Sequence, residues 1–533
     1  MQPSSSPSKF DNMPGDIERR PSVEEALDHE PLEKGWWYKP HVLKLNFLML
    51  APFVTMAAWG FDISMTNSLQ SLEAFNERFD HPSGARLGFY GASTQLGGAF
   101  TIFVAPFIIQ KLGRRAMCLI GSSIIIGMSI MQTFALNFNM FVAAKLLLGF
   151  GSTGVQIAAP VLITELAHPR QRERITAMYN TTIYVGLIAG AWIAFGTQDI
   201  PGDRSWQIPT ILQVVLPAYQ VLTIFLCPES PRWLVAKGQE EKARKILVKY
   251  HGGGQETPLV RAEMEAIMAG IEADATRIRF NKTDISALLS HKGNLHRILI
   301  ATVVAVGSQC TGSGLISAYL PQILDNVGMT STREKTLING IINIWTWIIG
   351  LGAGYVIPKL SKRSLFLFST SGMILTFVVW TALSAVYTQQ GGYSYGIGVV
   401  AMMFIYNAFY GMCWLPLVVA YPLELATTKQ RGILFSWMFF CLSMSTFAVN
   451  YINPIGLENI GWRYYIITIV FTLLILCLIY FFFVETKGLS LEEVATVFDG
   501  RENYDAAVSA VHAVEVKQAG EPEEQHVERK DER

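Results

Sequence analysis

Two ionisable residues stand inside long apolar stretches: Asp62 in the run 43–65 and Lys145 in the run 139–163. A charge in such a setting is costly unless it is paired or hydrated, so each marks a functional position by default. An aspartate with a cation beside it stays ionised. If the cation moves away, burial favours the neutral form and the carboxyl takes a proton. Proton uptake and release is therefore the chemistry on offer. A second set of residues offers hydrogen bonds without charge. Gln309, Ser313 and Ser317 are four apart and share a helix face; so do Asn339, Asn343 and Thr346, and again Asn407, Tyr410 and Trp414. Asn180, Asn450 and Asn453 add further amides. Amides and hydroxyls next to aromatic faces can hold a polar ligand, but the same groups also bond helix to helix. Gly312 and Gly314 flank Ser313 and predict an interrupted helix there, with backbone groups freed.

The elements that position these residues are apolar spans. A helix crossing a bilayer needs about 20 mostly apolar residues. The chain has 533 residues, 51 % of them hydrophobic and only 16 % charged. The charges gather in the two tails, a central segment and a few short loops. Twelve spans are predicted: 43–65, 88–109, 116–136, 139–163, 175–197, 208–227, 296–324, 337–357, 364–387, 396–421, 433–453 and 463–484. The expected organisation is a tail 1–42, a six-helix half 43–227, a linker of short amphipathic helices 228–295, a second six-helix half 296–484 and a tail 485–533. The N-terminal tail lacks the pattern of a cleaved signal peptide, so the first span is expected to act as the insertion signal. The tail after Asp499 reads as disordered.

Composition narrows the function. The 42 basic and 42 acidic residues balance, which gives no reason to expect nucleic acid as a partner. No metal-ligand cluster, phosphate loop or nucleophile–base pair is visible, so neither cofactor nor enzyme activity is expected. The six cysteines lie in or beside spans and read as buried hydrophobes. Basic turns set the orientation: Lys111, Arg114 and Arg115; Arg170, Arg172 and Arg174; Lys359, Lys362 and Arg363; Lys429 and Arg431. The positive-inside bias places these turns, the linker and both termini in the cytoplasm. The sequon at Asn281 is then a coincidence.

The two halves repeat a local pattern. Glu165 closes span 4 seven residues before Arg172, and Glu424 closes span 10 seven residues before Arg431. Lys111 to Arg115 corresponds to Lys359 to Arg363. These charges can serve topology alone; a clamp at the helix ends explains the two glutamates better.

Longer motifs carry a resemblance. Pro228-Glu229-Ser230-Pro231-Arg232-Trp233-Leu234 after span 6, and Glu485-Thr486-Lys487-Gly488-Leu489-Ser490-Leu491-Glu492-Glu493 after span 12, resemble the sugar porter family of the major facilitator superfamily. So do Gly60-Phe61-Asp62 and the Leu-Gly-Arg-Arg turn at 112–115. The stretches 307–320 (GSQCTGSGLISAYL) and 414–424 (WLPLVVAYPLE) look like the fungal lactose permease and cellodextrin transporter branch. The departures are local. Gln110, Lys145, Glu173, Gly314 and Val419 replace the aspartate, arginine, glycine, asparagine and tryptophan usual at those positions.

The resemblance implies an all-α membrane protein of twelve transmembrane helices in two halves. It implies secondary transport of a sugar, a disaccharide such as lactose or cellobiose, with a proton, by a monomer in the plasma membrane. Asp62 matches the family's protonation site and Lys145 the basic residue beside it, the rival being a fixed internal ion pair. Asn180 and Gln309 match sugar-binding amides; Ser313, Asn343, Trp414 and Asn450 are further substrate candidates. Arg114, Arg115, Glu165, Arg172, Glu229, Arg232, Glu424, Arg431 and Glu485 are expected to clamp the helix ends. Three rival functions fit the same fold: a carrier for a non-sugar metabolite, a facilitator without proton coupling, and a sugar receptor that does not transport.

Overall fold

The computed structural model describes residues 39–277, 292–357, 360–425, 431–487 and 498. The remaining tail residues, the sequon at Asn281, Lys359 and Lys429 lie outside the described residues, as do the side chains of Arg174 and Arg431. Every regular element described is a helix.

Six spans form each half. Spans 1 to 6 are Pro40–Leu48 continued by Leu50–Leu69, then Gly84–Leu112, Arg114–Thr133, Phe138–Leu166, Arg172–Thr181 continued by Ile183–Thr197, and Arg204–Leu212 continued by Val215–Thr223. Spans 7 to 12 are Lys292–Cys310 continued by Ser313–Asp325, then Thr332–Val356, Lys362–Gln390, Tyr393–Leu425, Arg431–Ile460 and Tyr464–Phe482. Among the described residues, ten helical runs are long and apolar enough to cross a membrane. One of them, Leu434–Phe482, holds spans 11 and 12, and the two short helices of span 6 complete the twelve. Large apolar side chains such as Phe103, Phe107, Leu222 and Phe481 remain exposed, as lipid-facing residues must.

Within the first half, span 3 packs on span 4, span 1 on span 5 and span 2 on span 4; within the second, span 9 packs on span 10 and span 7 on span 11. The halves meet through spans 2 and 11, 5 and 8, and 1 and 7. The described basic turns sit at one end of the bundle, here called the basic end. At the opposite end of the first half, the rings of Phe75, Phe79, Phe141 and Trp206 interlock edge to face or tilted, with centroids 4.9–6.3 Å apart.

Three helices, Pro231–Ala236, Glu240–Tyr250 and Pro258–Arg277, follow span 6. They pack on one another through Leu234, Leu247, Val260 and Met264. His251 ties them to the basic end. Its Nε2 lies 3.1 Å from the carbonyl oxygen of Leu166 and its Nδ1 2.6 Å from Glu263.

Candidate functional site: a buried ion pair beside a hydrogen-bonded seam

Span 7 breaks where its glycines predict. Gly312 has φ +107°, a left-handed conformation that favours glycine. A Cβ there would stand 2.4 Å from the Phe377 ring. The break frees carbonyls that side chains then take up. Ser308 O accepts from Ser313 Oγ at 2.5 Å and from Tyr410 OH at 3.2 Å; Thr311 O accepts from Tyr406 OH at 3.0 Å.

Asp62 and Lys145 meet inside the first half. Lys145 Nζ donates to Asp62 Oδ1 at 3.2 Å and to Thr66 Oγ1 at 2.5 Å, and stands 5.0 Å over the Tyr90 ring. Both charged residues are buried. The ammonium is thus held by a carboxylate, a hydroxyl and an aromatic face together, which satisfies a compact cation with three donors. Gln213 Nε2 adds a contact to Asp62 Oδ1 at 3.5 Å. Gln213 stands in the two-residue interruption of span 6 between Leu212 and Val215.

From this pair a hydrogen-bonded line leads to the other half. Thr66 lies one turn beyond Asp62 and donates to its carbonyl at 2.8 Å. The Thr66 carbonyl accepts from Gln70 Nε2 at 2.7 Å, and the same nitrogen donates to Ala318 O, across the seam, at 2.8 Å. Further bonds cross the seam nearby. Asn67 donates to Asn339 at 3.1 Å, and Asn339 donates to Ser68 at 3.0 Å. Thr336 bonds Gln198 at 2.8 Å, Asn343 reaches Leu187 O at 3.5 Å and Asn450 reaches Gly91 O at 3.4 Å. These bonds lie toward the end opposite the basic turns and close the halves together there.

The sequence-selected amides therefore divide. Asn343 and Asn450 belong to the seam. Gln309 stays half-buried beside the span-7 break, with one bond to Ser308 Oγ at 3.3 Å. Asn180 is exposed, one turn before the buried Tyr184. Trp414 sits apart from both groups. It is fully buried inside the second half, its indole N–H donates to Thr370 at 3.2 Å, and its ring packs on Phe366 and backs onto Gly307. Helical spacing put it on a face with Asn407 and Tyr410, but that face turns toward spans 7 and 9. Thr66, Tyr90, Gln70, Gln213 and Gln220 were missed. Gln213 and Gln220, two amides seven apart in an apolar span, were the available signal.

At the basic end the charged motifs form the same device twice. Glu229 accepts from the backbone N–H of Arg114 and Arg115, both at 3.2 Å, and so caps span 3. Glu485 accepts from the backbone N–H of Lys362 at 3.0 Å and Arg363 at 3.2 Å, and caps span 9. Arg114 pairs with Glu165 at 3.0 Å, and Lys362 pairs with Glu424. Arg115 donates to Phe225 O and Arg363 to Tyr480 O, tying these turns to the ends of spans 6 and 12. Arg172 turns instead to Glu263 of the central helices at 4.0 Å, and Arg232 lies beside Gly270 of the same layer.

Burial raises the Glu229 carboxyl above its ordinary value and outweighs the three backbone N–H groups, of Ser230, Arg115 and Arg114, that favour its charge. For Glu485 burial also acts upward. There the Ser361 hydroxyl and the N–H groups of Lys487, Lys362 and Arg363 more than offset it, and the net displacement is downward.

Comparison with known proteins agrees with this architecture. The family model described as "Sugar (and other) transporter" matches residues 48–498. "Sugar transporter STL1" of Saccharomyces cerevisiae is 25 % identical over 472 residues, covering 85 % of this chain and 81 % of the relative. "H(+)/hexose cotransporter 2" of Parachlorella kessleri is 25 % identical over 87 % of this chain and 89 % of its own length. Among solved structures, the inward-open conformation of the xylose transporter XylE from E. coli superimposes with a TM-score of 0.70, at 19 % identity, over 85 % of this chain and 99 % of that one. Another structure of XylE is described as that of an MFS (major facilitator superfamily) proton:xylose symporter.

Proposed function

The chain belongs to the sugar transporter family of the major facilitator superfamily, and on that premise we propose that it carries a disaccharide together with a proton. One observation carries the reading: a buried carboxylate–ammonium pair linked by hydrogen bonds to the seam that holds the two halves together at one end. Opening the seam disturbs the cradle of Lys145, and a displaced ammonium leaves Asp62 to take a proton. Protonation and the rocking of the halves are then one coupled equilibrium. With the basic turns in the cytoplasm, the closed seam is the outer one and the conformation faces inward. Gln309 and Asn180 serve as sugar-binding amides, and the capped helix ends serve as clamps between conformations. Both termini are cytoplasmic, and the membrane is the plasma membrane.

A second reading, a hexose substrate, is favoured by relatives named as hexose and glucose transporters. Uptake of labelled lactose, cellobiose and glucose, at two external pH values, into cells lacking their own carriers separates the two. Accumulation of a disaccharide that rises at acidic pH is expected. Glucose accumulation alone establishes the second reading, and pH-independent equilibration removes proton coupling.

A further inference from the structure

A small cavity lies against Asp62, wholly within the first half, between spans 1, 3, 4 and 6. Its volume is about 20 Å³, and its polar lining is Thr55, Asp62, Ser152, Gln213 and Gln220. That volume holds one water molecule when polar partners are present. None of these residues belongs to the sugar-binding set or to the seam.

The hydrogen bonds around the cavity fix which atoms remain to bind there. Asp62 receives Lys145 and Gln213 on the same oxygen, Oδ1, which leaves Oδ2 to accept from a further donor. Gln220 Oε1 accepts from Ser122 at 2.7 Å, which turns its amide nitrogen to Thr55 Oγ1 at 3.0 Å. Ser129 likewise meets Gln213 Oε1 at 3.4 Å and turns the Gln213 nitrogen toward Asp62. Gln156 Nε2 donates to Ser152 Oγ at 3.0 Å. Thr55 and Ser152 thus both accept at oxygen, and each keeps a hydroxyl hydrogen to give. Two hydroxyl donors and one carboxylate acceptor around one water-sized space make a complete water site.

We propose that this cavity binds the water through which Asp62 exchanges its proton. The water accepts from the Thr55 and Ser152 hydroxyls and donates to Asp62 Oδ2. In transfer, an O–H bond of the water breaks as the Oδ2–H bond forms. The water is restored by a proton from the next water toward bulk, so a neutral carboxyl and a neutral water remain. The water site lies within one half, apart from Gln309 and Asn180. Thr55 and Ser152 are positioning residues for the water, and Gln220 positions Thr55.

The inference rests on the reading of Asp62 as the proton site, and the experiment separates the two. The variant Thr55→Val with Ser152→Ala removes both hydroxyl donors while nearly conserving volume. Losing two hydrogen bonds of ordinary net strength should reduce proton-driven accumulation by about tenfold and displace its pH profile. Exchange of labelled for unlabelled sugar, which moves no net proton, should continue. Asp62→Asn is the companion measurement. If Asp62→Asn loses accumulation but the double variant keeps wild-type accumulation and pH profile, the water site is refuted and the coupling reading stands. If Asp62→Asn itself accumulates normally, both fall. If the double variant loses exchange as well, the hydroxyls serve packing and the inference is overturned.

Discussion

Gln70 and Ala318 belong to opposite halves, and the Gln70 amide nitrogen meets the Ala318 carbonyl oxygen at 2.8 Å. The same nitrogen bonds Thr66 O, whose residue holds the ammonium of Lys145. One side chain therefore touches both the seam and the ion-pair cradle.

Gln70→Leu keeps the bulk and removes the amide. The seam loses the bond to Ala318, worth about 0.5–1.5 kcal/mol net, so the closed population should fall by roughly two- to tenfold relative to the open one. A cysteine introduced at Ser68, which bonds Asn339 across the same seam, reports it. Its reaction with a membrane-impermeant maleimide added outside should quicken by a comparable factor in the Gln70→Leu background. An unchanged labelling rate would show that the seam is held by its other bonds.

The amides should separate by position. Gln309→Ala and Asn180→Ala are expected to weaken sugar affinity by several-fold to about a hundredfold, because a sugar hydroxyl left unpaired in a dry site loses more than one net bond. Asn450→Ala, which loses the contact to Gly91 O at 3.4 Å, should leave affinity near wild type and alter the rate of conformational exchange. Inhibition of uptake by unlabelled sugar measures the first, and exchange rates the second. Unchanged affinity in both Gln309→Ala and Asn180→Ala would assign those amides to helix packing.

The two helix-end clamps should respond to acid with opposite sign. Glu485 is held below the ordinary carboxylate value, so its stabilisation is full above that value and is lost as pH falls through the lowered one. Glu229 is held above it, so the folded state gains relative stability as pH falls from the raised value to the ordinary one. Thermal unfolding in detergent across the acidic range is the measurement. Glu485→Gln should lose less stability on acidification than wild type, and Glu229→Gln should lose more. Parallel curves for both variants would contradict the opposite displacements.

The fold was legible because its signal is crude and repeated: stretches of about 20 apolar residues, with charges only between them. The break at Gly312 was legible for a local reason, two glycines beside one serine. The clamp pairs Arg114–Glu165 and Lys362–Glu424 could be anticipated because the repeat doubles each motif. What the sequence withheld was which neighbour each helix face meets. Asn407, Tyr410 and Trp414 do share a face, yet Asn407 bonds its own helix at Met403 O and Trp414 bonds span 9. Gln213 acquires its place from the packing of span 6 on span 1. Thr66 and Tyr90 are ordinary residues in an apolar span until Lys145 is placed between them.

The Lys145 cradle gives the sharpest test of coupling. Lys145→Arg keeps a cation that can bind the Asp62 carboxylate through two bonds and never deprotonates. It should hold Asp62 ionised over a wider range and move the pH profile of uptake toward acid. The cradle adds a constraint, since Thr66 Oγ1 at 2.5 Å and the Tyr90 ring at 5.0 Å surround a compact ammonium. A larger guanidinium should therefore also slow transport, and Thr66→Ala in the same chain should relieve the crowding and restore the rate. Lys145→Met leaves Asp62 buried without its cation, which favours the neutral carboxyl. Its pH profile should move toward alkali, and accumulation should fall while exchange continues. Uptake measured from acidic to alkaline external pH in the three variants decides the matter. Opposite displacements for Arg and Met establish that the pair is the coupling element; equal displacements, or none, reduce it to a structural bridge between spans 1 and 4.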